Sequence, residues 1–236
     1  MIGPRRTVLR AAFAALLAGG LTPGCVGLRP PAASVAPPAG CQGAAAAART
    51  GFHAVYEGEL RIWFHSFKAI WYVAVSPGAD QLAVAVLSPT GINVMQMHGD
   101  SARRECVVLL APAARLQSYG EALWDGLWWG LAAGDPVPAA QWMRQRNRTM
   151  GFAARGPMQA TYLTGAAGVA PERIELRRDR RRWGAIRLDD VRNDAGRAYP
   201  ARIRLDCDQP RCRLMLTLKS IAWTAAPAGG PGVAGP

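Results

Sequence analysis

From Val55 to about Leu110 the chain alternates short apolar runs with turn residues. Leu60-Arg61-Ile62-Trp63 and the run from Phe67 to Val75 are rich in β-formers, and Ser76-Pro77-Gly78-Ala79-Asp80 reads as the turn that follows. Leu82, Val84 and Val86 alternate with alanines, the two-residue period of a strand with one buried face. Ser88-Pro89-Thr90-Gly91 breaks the chain again, Ile92 to Met97 resumes it, and Gly99-Asp100 turns it into Glu105 to Leu110. Successive strands joined by short turns predict an antiparallel meander.

The period changes over residues 113–131. Leu116, Tyr119, Leu123, Leu127 and Leu131 recur at three and four, the stripe of an amphipathic helix, with Trp124 and Trp128 beside it and Trp129 next. Gly134-Asp135-Pro136 ends that helix, and a second short one is expected from Pro138 to Arg148. Strands then return. Arg173 to Arg177 and Ala185 to Leu188 flank the run Arg178-Asp179-Arg180-Arg181-Arg182, read as a solvated turn, with a lipid-phosphate or nucleic-acid contact as the alternative. Arg202-Ile203-Arg204-Leu205 alternates strictly, and Leu214, Leu216 and Leu218 alternate with Met215, Thr217 and Lys219, so one face meets solvent. The fold class is mainly β (α+β), an antiparallel sheet with helices inserted mid-chain.

Composition narrows the function. The 236 residues are half hydrophobic, enough for a sizeable core, and carry a net charge of +12. Residues 144–236 hold 18 of the 28 basic residues and half of the 16 acids, and every basic residue except Lys68 and Lys219 is arginine. Arginine dominance fits either a GC-rich coding sequence or a basic face toward anionic lipid or nucleic acid. The three histidines, His53, His65 and His98, are too few for a His-rich metal site, and no metal or cofactor is expected. Enzymatic chemistry is not expected either. The chain lacks Gly-x-Ser-x-Gly, and Asp189 and Asp190, adjacent on a strand, would point to opposite faces.

The N-terminus reads as an export signal. Arg5, Arg6 and Arg10 precede an apolar stretch from Ala11 to Leu21, too short to span a bilayer, and Thr22-Pro23-Gly24-Cys25 follows. That site resembles a bacterial lipobox, which makes Cys25 the lipid-modified first residue of the mature chain. Arg5-Arg6-Thr7-Val8-Leu9 also resembles a twin-arginine motif, and both export routes stay open. Val26 in place of Asp after the cysteine points to the outer membrane. The expected organisation is a signal peptide over 1–24, a lipid-anchored Pro/Ala-rich tether over 25–47, a folded domain over 48–224 and a disordered tail over 225–236. Export argues against a nucleic-acid partner. Four cysteines remain in an oxidising compartment, which suggests disulfides. Cys207 and Cys212 flank a short turn and read as a hairpin staple, worth roughly 2 kcal/mol by chain entropy. Cys41 and Cys106 would be the other pair; a four-cysteine zinc site is the rival, but the one short spacing is not C-x-x-C.

In this order the motifs resemble the LolA/LolB superfamily, and LolB-like outer-membrane lipoproteins most. The resemblance rests on Leu82 to Gly91, on Tyr119-Gly120 to Leu131 followed by Gly134-Asp135-Pro136, on Arg182-Trp183-Gly184 to Asp190, and on Tyr199 to Leu205 with Arg213 to Trp223. It implies an incomplete antiparallel barrel of about eleven strands, with lid helices over an apolar cavity that accepts acyl chains. Candidate cavity residues are Trp63, Trp71, Leu123, Trp124, Leu127 and Trp128. The implied partners are acyl chains or lipoproteins, a periplasmic carrier or envelope machine, and the membrane through the N-terminal lipid, with the chain a monomer. The family's receptor also exposes an apolar residue on an early loop; the comparable turn here, Ser76 to Gln81, has no large one. The alternative is an accessory envelope lipoprotein with a filled cavity, working through protein contacts.

Overall fold

The computed structural model of the chain describes residues 36, 39–78, 81–100, 103–109, 117–132, 141–145, 148–164 and 171–224. The expectations for the leader, for Cys25 and for 225–236 lie outside the described residues. The meander read from the first half of the chain is present as β1 (Phe52–Ile62), β2 (His65–Val75), β3 (Gln81–Leu87), β4 (Asn93–Asp100) and β5 (Arg104–Val108). A second meander follows: β6 (Gln141–Gln145), β7 (Arg148–Arg155), β8 (Met158–Thr164), β9 (Pro171–Arg178), β10 (Arg181–Asp194), β11 (Arg197–Asp208) and β12 (Arg211–Trp223).

Each strand pairs antiparallel with its chain neighbours, with two exceptions. The last strand pairs with the first, from Phe52 opposite Trp223 to Ile62 opposite Cys212. The two strands adjoining the mid-chain helix, β5 and β6, do not pair, so they are the free edges of one twelve-stranded open sheet. One strand more than expected is present. The helix pattern over Pro138 to Arg148 was misleading, because Gln141–Gln145 is an edge strand. The buried Trp142 ring lies against Gly151 of the paired strand, where an added Cβ would come within 2.8 Å of it. Ladder hydrogen bonds and that ring contact override a weak helical period.

Alternation puts one face of the sheet inside. Leu82, Val84 and Val86 of β3, Ile203 and Leu205 of β11, and Leu214 and Leu216 of β12 are buried. Register shifts at Val55/Tyr56 and at Arg182/Gly184 bend the strands, as bulges do. The buried face is covered by α2 (Gln117–Leu127), which continues as a π-helical turn over Trp128–Ala132. Gln117 and Glu121 at its start are exposed, and every residue from Ala122 to Trp129 is buried, so the second half of this lid helix belongs to the core. Two glycines let it settle onto the sheet. An added Cβ at Gly120 would overlap Cys106 of β5, and one at Gly126 would overlap Leu205 of β11.

Residues 39–47 were assigned to the tether, but Ala39–Thr50 is a helix, α1, packed on β11 with Cys41, Ala45, Ala47 and Ala48 buried. Alanine is the best helix former and lets a helix approach a sheet closely. Gly51, at a φ of 77°, ends the helix by donating its N–H to the carbonyls of Ala47 and Ala48, both at 3.2 Å.

Replacing Gly126 with Ala should cost about 1–3 kcal/mol from overpacking, against about 1 kcal/mol gained in helix propensity. Urea titration of the variant is expected to show a net loss. In a Leu205→Ala background, which removes the obstructing methyls, the same substitution should become neutral or stabilising.

Candidate functional site

Among the described residues, an apolar opening lies at the end of the sheet where the β1–β2 and β3–β4 turns meet. It is a groove of about 980 Å³. Ile62 of β1, Trp71 of β2, Val86 of β3 and Met95 of β4 line it, and Tyr119 contributes from α2. Trp71 is completely buried, and Gly58 makes room for it: an added Cβ there would fall 2.5 Å from the indole nitrogen. The rim is the β1–β2 turn. Trp63, at a φ of 57°, is 75% exposed, Phe64 is 87% exposed and Phe67 is 46% exposed. Three aromatic rings left in water within five residues form a patch that ordinary surfaces avoid.

The six residues expected to form a cavity are divided. Trp63 and Trp71 line the groove. Leu123, Trp124, Leu127 and Trp128 lie instead in the continuous core between α2 and the sheet. There Trp124 stacks on Trp128 with centroids 6.3 Å apart, and Trp128 meets Trp129 edge-on at 5.2 Å. Trp129 and Trp142 both reach Tyr162, at 6.5 and 6.3 Å. The interior beneath this helix is filled by its own side chains, and open apolar space is displaced to the turn end. The sequence reading missed Phe64 and Phe67 as site residues. Phe64 falls between its two β-rich runs and Phe67 opens the second, and exposure of the rings depends on what surrounds them.

A second unread feature holds the helix in place. Asp125 is 5% exposed, and its two carboxylate oxygens accept hydrogen bonds from Arg104 of β5 and from Arg178 of β9, the latter at 2.6 Å. Arg104 also donates to Glu121 at 3.0 Å. One side chain thus ties α2 to an edge strand of the first meander and to the end of a strand in the second. Burial pushes the Asp125 carboxyl up from its ordinary value, and the two guanidiniums pull against that shift. The sequence signal was an acid inside an apolar helical run, Leu123-Trp124-Asp125-Gly126-Leu127.

The outer face at the same turn end is strongly basic. A cleft of about 690 Å³ is lined by Arg61, Arg173, Arg182, Arg187, Arg211 and Arg213, with Asp206 and Asp208 as its acids. Burial raises the Asp206 carboxyl, but hydrogen bonds from Arg213 at 2.5 Å and Arg204 at 2.9 Å outweigh it and hold the group below its ordinary value. Arg182 pairs with Asp208 at 3.1 Å, Arg61 with Glu59 at 2.7 Å and Arg173 with Glu175 at 3.2 Å. Arg187 and Arg211 have no ion-pair partner among the described residues.

The four described cysteines are thiols, so no disulfide is present among the described residues. Cys207 and Cys212 are opposite one another in the β11–β12 hairpin register. A hydrogen bond to Cys212, then burial, push the Cys207 thiol well above its ordinary value. Cys41 sits in α1, where burial pushes its thiol up to about 12, whereas Cys106 lies on β5 against Gly120. No group of three or more metal-ligating side chains occurs among the described residues.

Replacing Asp125 with Asn should leave Arg178 without its counter-charge and Arg104 with Glu121 alone. The expected loss is about 2–3 kcal/mol in chemical denaturation, below the full cost of breaking a buried pair because each arginine is partly exposed. Arg178→Gln should cost less than Asp125→Asn, since Arg104 still neutralises the carboxylate.

No family model and no curated protein matches the chain. Solved structures do match in shape. A LolA superfamily protein from Nitrosomonas europaea aligns at TM-score 0.50 with 11% identity, covering 79% of this chain and 93% of that one. A DUF1329 family protein from Desulfovibrio piger aligns at TM-score 0.52 with 9% identity over 81% and 95%. A domain described as an outer-membrane lipoprotein-sorting protein from Vibrio parahaemolyticus aligns at TM-score 0.49 with 8% identity over 80% and 93%. The chain therefore shares the fold of these solved structures, a LolA superfamily protein and a DUF1329 family protein, with about one residue in ten identical.

Proposed function

We propose that the protein is a non-enzymatic, lipid-anchored outer-membrane protein facing the periplasm, which binds acyl chains or lipoproteins in lipid or lipoprotein localisation. The observation that carries this reading is the groove floored by Trp71 and rimmed by Trp63, Phe64 and Phe67. Its size falls within the ~300–1,000 Å³ range of small-ligand sites, and its walls are apolar. Each methylene it removes from water contributes about 0.8 kcal/mol, so chain length sets affinity. Transfer would then run on differences in affinity between successive binders. Export and acylation at Cys25 follow from the N-terminal residues, and the LolA-type fold is the setting in which such a groove is expected. No helix among the described residues is long and apolar enough to cross a membrane.

The filled interior beneath α2 favours a second reading, an accessory envelope lipoprotein that works through protein contacts. The two differ in ligand occupancy. Native mass spectrometry of the chain purified from a periplasmic preparation should show copurified lipid, and a fluorescent fatty acyl probe should be taken up. Gly58→Ala, which lifts the Trp71 indole from its seat, should weaken probe uptake at least fivefold without unfolding the protein. An empty protein that ignores the probe would leave the accessory reading.

Anchoring is tested separately. Labelled palmitate should enter the chain in a bacterial host, and Cys25→Ser should abolish the label and release the protein from the membrane fraction.

A further inference from the structure

The apolar groove and the arginine cleft open on the two faces of the sheet at one end, and only Trp63 and Phe64 line both. Hydrophobic and cationic surface therefore meet at the exposed β1–β2 turn. The charge of the cleft is only partly spent internally. Asp206 and Asp208 occupy Arg213 and Arg182, while Arg187 and Arg211 are left with no carboxylate partner among the described residues. Glu59 and Glu175 likewise hold Arg61 and Arg173, so six guanidiniums against four carboxylates leave two of them free for an anion, and guanidinium geometry suits bidentate contact with phosphate.

We propose that this cleft binds the phosphate groups of anionic lipid at a bilayer surface, with Trp63 and Phe64 entering the acyl layer and the mouth of the groove facing the membrane. The inference rests on the reading of the groove as an acyl-chain site and names the lipid class that reading leaves open. A lipid-borne phosphate fits better than a free one because the cleft wall includes two exposed aromatic rings, which a soluble anion would leave in water. Tryptophan suits the level assigned to it, with its ring in the acyl boundary and its N–H among headgroups.

The test is vesicle flotation with the full chain. Vesicles of phosphatidylcholine alone give the baseline contributed by any N-terminal anchor, and vesicles with phosphatidylglycerol added report the cleft. Binding should favour the anionic vesicles and fall with added salt. The double variant Arg187→Gln/Arg211→Gln removes two charges that support no internal ion pair. It should lower partitioning onto anionic vesicles about 25-fold, at roughly fivefold per arginine. Trp63→Ser/Phe64→Ser should weaken binding to the same vesicles. Thermal melts of both variants establish that they fold.

Equal binding to both vesicle types, or an unchanged affinity in folded arginine variants, would overturn the proposal. So would complete competition by soluble glycerol phosphate beyond that of chloride at matched ionic strength, which would make the cleft a free-anion site. Probe uptake by the groove is measured alongside. Its loss with anionic selectivity intact would remove the acyl-groove reading alone, and the reverse result would remove the cleft alone.

Discussion

The pairing of β1 with β12 joins two meanders into one sheet, and the remaining architecture depends on it. Eleven residues of β1 are matched across that seam, from Phe52 to Ile62. With the chain's first and last strands joined at the centre, its two free edges are β5 and β6, which flank the mid-chain helix in sequence. A wide sheet with one apolar face must cover that face, and the segment spanning the open side is the one placed to do so. Gly120 and Gly126 let α2 approach closely, and Asp125 supplies the polar tie that sets its position over the sheet.

Close seating of that helix relocates the site. A helix carrying Leu123, Trp124, Leu127 and Trp128 can roof a cavity or fill one. Here the rings of Trp124, Trp128, Trp129, Tyr162 and Trp142 form a continuous aromatic row, and the space beneath the helix is occupied. Open apolar volume remains at the strand-turn end, where Tyr119 at the start of the helix meets the groove lined by Trp71. At that same end the outer face carries the arginines of β1, β9, β10 and β12, so the tip of one hairpin separates two chemically opposite surfaces.

Much of the sheet was legible along the chain. The alternation of Leu82, Val84 and Val86, and of Ile203 and Leu205, marks the buried face directly, because side chains on a strand alternate with a period of two. The α2 stripe was equally clear, since Leu123, Leu127 and Leu131 recur at a helical spacing. Two elements were misread. The Pro138 to Arg148 segment looked helical, but Gln141–Gln145 is held by pairing with β7, a contact made only once the chain has folded back. The Ala-rich residues before Thr50 looked like tether because their composition resembles a linker, yet alanines also favour a helix that packs closely on a sheet.

The antiparallel strands, the mid-chain helix, the basic second half of the chain and the export-signal pattern at the N-terminus are legible from the residues in order. Each of these is written locally, in periodicity or composition. Which aromatic residues are core and which are surface is set by the folded arrangement. Trp124 and Trp63 are the same residue type in similarly apolar runs, but Trp124 faces an opposing sheet and Trp63 occupies a turn with nothing across from it. Exposure depends on what lies opposite in space. The same holds for the arginines, spread from Arg61 to Arg213 along the chain and brought into one cleft because β1, β9, β10, β11 and β12 are neighbours in a single sheet.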